Sequence, residues 1–382
     1  MKKNIVWILF FGFLLACSSG DDTPSNDNND DNGQNNNDNN DNGTSFDRGA
    51  LLVNWADNII VPAFENFKAA ADGLNQSANA FSQDASSSNL EALRSSWYDA
   101  LVAFQSVSIF EIGEAESIRF RNRVNIYPAD PSQIEENIQS ASYDLALPSN
   151  NDAQGFQALD YLLYASAADN DAILNRFQTE ADLMDYLQDL TQTISDLTAA
   201  VLADWQGGFR DSFVANTASS ASGSVDKLTN DFMFYYEKAL RAGKVGIPAG
   251  VFSTEPLPDR VEVYYQRDSS RELALIALQE AQDFFNGRAF NGNATGSSLK
   301  SYLDFLNTIK NGEDLSQLIN DQFDIARLSI EGLNTNFVQQ IQDDNAKMLG
   351  AYDELQRNVV LMKVDMMQAL DISIDYVDAD GD

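Results

Sequence analysis

Two polar side chains stand three residues apart in an otherwise apolar run, Gly155-Phe156-Gln157-Ala158-Leu159-Asp160-Tyr161-Leu162-Leu163-Tyr164. On a helix, positions i and i+3 share a face, so Gln157 and Asp160 can converge on one ligand. Gln157 offers an amide that donates and accepts but does not titrate, and Asp160 offers a carboxylate. A carbonyl oxygen beside a carboxylate suits a hard cation or a small polar ligand better than zinc. The residues by themselves leave a second reading open, in which both groups face solvent or cap a neighbouring helix.

Three further groups could carry chemistry. Glu111 and Glu114, with Glu116 beside Gly113, could form a carboxylate cluster, although like charges without partners read more simply as a solvated surface. Arg267-Asp268-Ser269-Ser270 could bind a polar ligand. The simpler expectation is that Asp268 or Ser269 caps a helix starting near Arg271, with Glu272 beside the positive end of its dipole. Asp375 and Asp378-Ala379-Asp380-Gly381-Asp382 imitate the opening of a calcium loop without the glutamate that closes one, and read as a solvated acidic tail.

Composition sets hard limits on what these groups can do. The 382 residues contain no histidine and one cysteine. Within this chain that excludes a Ser-His-Asp or Cys-His pair, an HExxH zinc site, a His-ligated haem, an intramolecular disulfide and a cysteine-cluster metal site. With 58 acidic and 24 basic side chains the formal charge is −34, and such a chain repels phosphate, so nucleic acid is not expected as a partner. A binding protein, an enzyme working through carboxylates, or a degenerate enzyme remains.

The single cysteine has a specific place. Lys2 and Lys3 precede an apolar stretch from Ile5 to Phe13, too short to span a bilayer, which ends in Leu14-Leu15-Ala16-Cys17. Residues 1–16 therefore read as a lipoprotein signal peptide and Cys17 as the lipid attachment point, which implies a membrane partner through the acyl chains. Ser18 after the cysteine does not signal inner-membrane retention, and Asp21-Asp22 looks like a surface-export tag, so the expected location is the outer membrane, on its periplasmic face or at the cell surface. Residues 17–46 form the expected tether. Seventeen of the 25 residues from 21 to 45 are Asp or Asn, a composition that cannot bury enough surface to offset its ordering entropy. From Arg48 onward the chain still carries 22 basic and 50 acidic residues, so the acidity belongs to the folded part as well.

Residues 47–382 read as all-α. No proline occurs from Ser149 to Ile247 or after Pro258. Leu183, Leu187, Leu190, Ile194, Leu197 and Val201 repeat at 4-3-4-3-4 spacing, the seam of a packed helix, which Gly207-Gly208 should stop. Leu355, Val359, Met362, Met366 and Leu370 form a similar stripe. Further helices are expected near 48–75, 89–110, 131–140, 153–166, 225–244, 269–286, 298–310, 315–331 and 335–345. No stretch shows sustained period-two alternation. The Gly/Pro-rich stretch 246–258 is the expected break between two packed helical halves.

At this point the chain resembles the imelysin family, exported all-helical bacterial proteins described as peptidases and associated with iron uptake. The resemblance covers nearly all of residues 50–382. It rests on Ala56-Asp57-Asn58-Ile59-Ile60-Val61-Pro62-Ala63-Phe64, on Trp97 with Phe104 and Gly113, on Tyr127-Pro128-Ala129-Asp130-Pro131, on Lys244-Val245-Gly246-Ile247-Pro248, on the closing residues from Tyr376, and on the segment from Gly155. The family signature is Gly-x-His-x-x-Glu. Here Gly155 is kept, the histidine position holds Gln157 and the glutamate position holds Asp160. The resemblance implies a ligand-facing site formed by Gly155, Gln157 and Asp160, with Asp160 the metal-facing residue and iron or another hard cation the implied ligand. It implies a membrane-anchored binding lipoprotein linked to iron or metal acquisition, with an outer-membrane uptake partner and a non-catalytic site between the helical halves. The alternatives are a metal-dependent hydrolase with an oxygen-ligand site, or a surface interaction protein with a vestigial pocket. Replacing the titratable histidine with an amide argues against the hydrolase.

Overall fold

Phe64, Phe67, Ala71, Leu74, Ala78 and Phe81 recur at three- and four-residue intervals, and that stripe is buried along α1 (Val61–Gln83). The computed structural model describes residues 45–376; the Cys17, tether and Asp378–Asp382 readings lie outside them. A three-residue turn at Asp84–Ser86 returns the chain into α2 (Ser87–Val107). After several short helices come α3 (Gly155–Tyr164) and α4 (Ala181–Asp204). The predicted seam Leu183 to Val201 is buried, and α4 packs beside α2 against α1 to make the first bundle.

The second bundle is built from a π-helical segment, Tyr235–Gly246, together with α5 (Ser270–Asn286), α6 (Leu315–Glu331) and α7 (Phe337–Val359). Its seam contains Leu355, Val359, Met362, Met366 and Leu370, all buried. Phe284 of α5 joins the two bundles: its ring lies 5.1 Å from Trp55, 5.5 Å from Phe110 and 5.0 Å from Phe232. One hydrophobic cluster runs through both bundles, and the described residues form one compact unit.

The helical reading holds for the architecture and shifts in its details. Gly207-Gly208 ends the α4 run as expected, with Gly208 outside helical geometry. The chain continues through a wide π turn, Trp205–Phe209, into Arg210–Ala215, and Gly208 absorbs the kink at φ 134°. The expected helix at 335–345 ends where Asp344 leaves helical geometry inside α7 (φ −159°, ψ 79°), and the helix carrying Leu355 begins directly after it and is extended by the π segment Val360–Met366. Glu114–Ile118, Phe120–Val124 and Asn170–Thr179 are helices with no sequence expectation behind them. Two of these have only five residues, too few to display a helical period. A two-residue hairpin, Ile309–Lys310 with Glu313–Asp314, occupies the end of the helix expected at 298–310.

Candidate functional site

Helix α3 is pinned at both ends by α2. Trp97 Nε1 donates to the Phe156 carbonyl (3.0 Å) in its first turn, and the buried Arg94 guanidinium donates through Nε to the otherwise unpaired Leu163 carbonyl (3.1 Å) in its last. Phe156 packs into a ring cluster with Phe67 and Phe104. Gly155 starts the helix at φ +74°, and a Cβ there would lie 2.3 Å from the Val124 carbonyl oxygen. Its contribution is conformational: it lets α3 begin hard against the 119–125 segment.

So fixed, α3 presents Gln157 and Asp160 to the loop between Pro258 and Ser269. Both are buried, Asp160 completely. The Val263 N–H donates to Gln157 Oε1 (2.9 Å). Because a backbone N–H can only donate, this bond fixes the amide orientation, and Gln157 Nε2 donates in turn to Asn125 Oδ1 (2.8 Å). Asn125 Nδ2 passes the chain on to Glu262 Oε1 (2.7 Å), and the Lys244 ammonium completes it on Glu262 Oε2. The Asp160 carboxylate accepts the Tyr265 N–H on Oδ2 (2.8 Å) and the Gln266 N–H on Oδ1 (2.9 Å). These bonds hold a loop in which Val263 and Arg267 adopt φ of 56° and 75°, a costly conformation for a β-branched valine.

Burial raises Asp160 to about 7, with the two N–H bonds and the Arg267 charge opposing and Glu262 adding repulsion. Gln157 and Asp160 line a cavity of about 160 Å³ whose other walls include Tyr127, Pro128, Asp259, Tyr264 and Tyr265. Gly155 is not among its lining residues. Asn125, Glu262 and the backbone of Val263, Tyr265 and Gln266 complete the arrangement and have no helical period to reveal them; the one sequence cue was an acid, Glu262, between two valines.

The side-chain oxygens of the pair already serve the loop. Each carboxylate oxygen of Asp160 and the amide oxygen of Gln157 already accepts a backbone N–H. Among the described residues no group of three or more His, Cys, Asp or Glu is placed to hold a metal ion.

The other candidate groups fall elsewhere. Glu111 is not part of a solvated cluster: it accepts the Arg121 N–H (2.9 Å), its own N–H donates to Asp231 Oδ2 (2.5 Å), and burial raises its carboxyl to about 7. Glu114 is half-buried and Glu116 exposed. Ser269 occupies the N-cap of α5 without a side-chain cap bond, and Asp268 makes none in its place; Ser270 Oγ donates to the Arg267 carbonyl (3.2 Å). Glu272, in the first turn as expected, accepts the Tyr98 hydroxyl (2.6 Å).

A two-bundle helical scaffold with a buried amide–carboxylate pair clamping a loop beside a small cavity defines the class of protein. The chain belongs to the imelysin family, whose model matches residues 60–361. It is 24% identical over 303 residues to Iron-regulated protein A of Synechococcus elongatus, covering 74% of this chain and 76% of that one. Its fold is shared with an imelysin-like protein from Psychrobacter arcticum (TM-score 0.65, 17% identity, 86% of this chain and 97% of that one). It is also shared with an iron-regulated protein A precursor from Parabacteroides distasonis (TM-score 0.67, 15% identity, 84% and 95%).

Proposed function

We propose that the chain is a lipid-anchored, non-catalytic binding protein of the imelysin family that serves iron acquisition. The observation that carries the reading is the Gln157–Asp160 pair. The family's titratable position holds an amide whose oxygen is spent on the Val263 N–H, so no general base stands beside the carboxylate, while both side chains line a cavity. The ligand is a small polar molecule or a hard cation such as iron, with Asp160 its polar anchor. The iron context comes from relatives that bear the name iron-regulated protein A. Anchoring rests on Leu14-Leu15-Ala16-Cys17 followed by the Asp/Asn-rich tether, which would hold the domain at the outer membrane beside an uptake partner.

Growth under iron limitation tests the function. A strain lacking the protein should grow more slowly than its parent when iron is chelated and equally well when iron is plentiful. Complementation should require Cys17. Equal growth at every iron level would overturn the iron reading. Turnover of a peptide library by the purified protein with Mn, Ca or Fe supplied would favour the hydrolase instead.

A further inference from the structure

A second cavity, of about 240 Å³, opens beside the first and shares only Tyr127 with it. Its lining is unusual for so acidic a chain. Arg121, Lys238 and Lys244 contribute to it, and no Asp or Glu does. The neighbouring cavities all include acids: Glu280 and Asp283 in one, Glu114, Glu116 and Asp204 in another, Asp160 and Asp259 in the first. Arg121 pairs with Asp231 (3.1 Å) and Glu111 (3.9 Å) and donates to the Ser108 and Ile109 carbonyls, Lys238 pairs with Glu237 (2.8 Å) and Lys244 with Glu262, and none of these acids lines the cavity.

The rest of the wall is aromatic. Phe104, Tyr127, Phe234 and Tyr235 line it, and the Arg121 guanidinium lies over the rings of Phe234 (5.9 Å) and Tyr235 (5.6 Å). Tyr235 is 1% exposed, and its hydroxyl has only the Ser108 hydroxyl beside it, at a geometry short of a full hydrogen bond; Ser108 Oγ donates to the Gln105 carbonyl (2.9 Å). A buried hydroxyl so weakly paired gains from a ligand that supplies an acceptor.

The backbone is arranged around this space. Tyr235, Lys238, Ala239, Gly243 and Lys244 all come from the π-helical segment Tyr235–Gly246, and such wide turns recur at functional sites. At Gly243 a Cβ would come 3.2 Å from the Tyr127 hydroxyl oxygen, so glycine leaves room for that ring. The volume lies below the roughly 300–1,000 Å³ of drug-sized sites and suits one or two rings.

We propose that this cavity binds a small aromatic carboxylate, its ring among Phe104, Tyr127, Phe234 and Tyr235 and its carboxylate facing Arg121, Lys238 and the Tyr235 hydroxyl. The inference does not depend on the Gln157–Asp160 reading. Calorimetric titration of the protein with benzoate and with its neutral counterpart benzamide tests it. Benzoate should bind saturably and at least tenfold more tightly than benzamide. Tyr235→Phe should weaken benzoate severalfold, and Ala239→Leu, which fills the cavity, should abolish binding with the helical circular dichroism spectrum unchanged. Absence of benzoate binding, equal affinity for benzamide, or benzoate affinity undiminished in Tyr235→Phe would overturn the proposal. That last variant removes one oxygen and keeps the ring, so it reads the site even if Ala239→Leu fails to fold.

Discussion

Asp160 is a buried carboxylate whose two oxygens each take one backbone N–H from a loop that its sequence alone would not hold in place. Asp160→Ala removes both acceptors and leaves the Tyr265 and Gln266 N–H groups without partners. At about 1.5–3 kcal/mol per hydrogen bond to a charged group, less the desolvation relieved, the expected loss is about 3 kcal/mol in a urea titration. Asp160→Asn keeps one acceptor and should lose about 1 kcal/mol. Gly155→Ala forces a positive φ on alanine and drives its Cβ onto the Val124 carbonyl, and should cost at least about 2 kcal/mol by the same measurement. At this scale the sequence showed which residue types share a helix face. It could not show that the ligand-like partners of Gln157 and Asp160 are the chain's own N–H groups from residues more than a hundred positions away.

The long helices were legible because a buried stripe repeated over several turns is a strong signal, as from Leu183 to Val201. The wide turn at Tyr235–Gly246 was not, and the one at Val360–Met366 left its stripe readable but not its π geometry. An extra residue per turn moves side chains off the ordinary helical stripe, and tertiary packing decides where the shift is tolerated. One such turn places Glu237, wholly buried, against Lys238 (2.8 Å) and Arg241 (3.7 Å), with Lys363 (2.9 Å) from the other π segment and the Tyr376 hydroxyl (2.8 Å) closing on it. Glu237→Gln removes the charge those cations share. The variant should lose about 3–5 kcal/mol, visible as a lower midpoint in thermal unfolding. A correspondingly small loss would mean that water reaches the cluster.

Across the whole molecule, burial holds three carboxyls, Glu111, Asp160 and Glu280, at about 7. In the unfolded chain they ionise at their ordinary values of 3.8 to 4.5. Between those limits the folded state binds protons that the unfolded state has released, so stability is greatest at the acid end of the window and falls as pH rises through about 7. Asp57, Asp72, Glu135 and Asp314 shift the other way: the Arg210 bond dominates at Asp57 and the Ser316 bond at Asp314, while burial, the largest single influence at Asp72 and Glu135, is overcome there by Lys68 with Ser195 and by Arg176 with Tyr161 together, so their contribution is lost below about pH 4. The melting temperature should therefore rise from pH 8 to about pH 5 and drop again below pH 4. A flat profile from 8 to 5 would mean that the three carboxyls ionise inside the fold without penalty.

Composition by itself removed imidazole chemistry, and the apolar periodicity by itself determined an all-helical domain, because both are properties of residue type and local spacing. The family signature likewise marked one helix turn, Gly155 to Asp160, as the place where this chain departs from a titratable site. Only the tertiary structure decided what that turn touches. It spent the amide and the carboxylate on a strained loop, and it gathered Arg121, Lys238 and Lys244 around an acid-free cavity in an otherwise acidic chain. Long-range pairing of backbone groups and the position of buried charges follow from how helices pack, and no local pattern of residues encodes them.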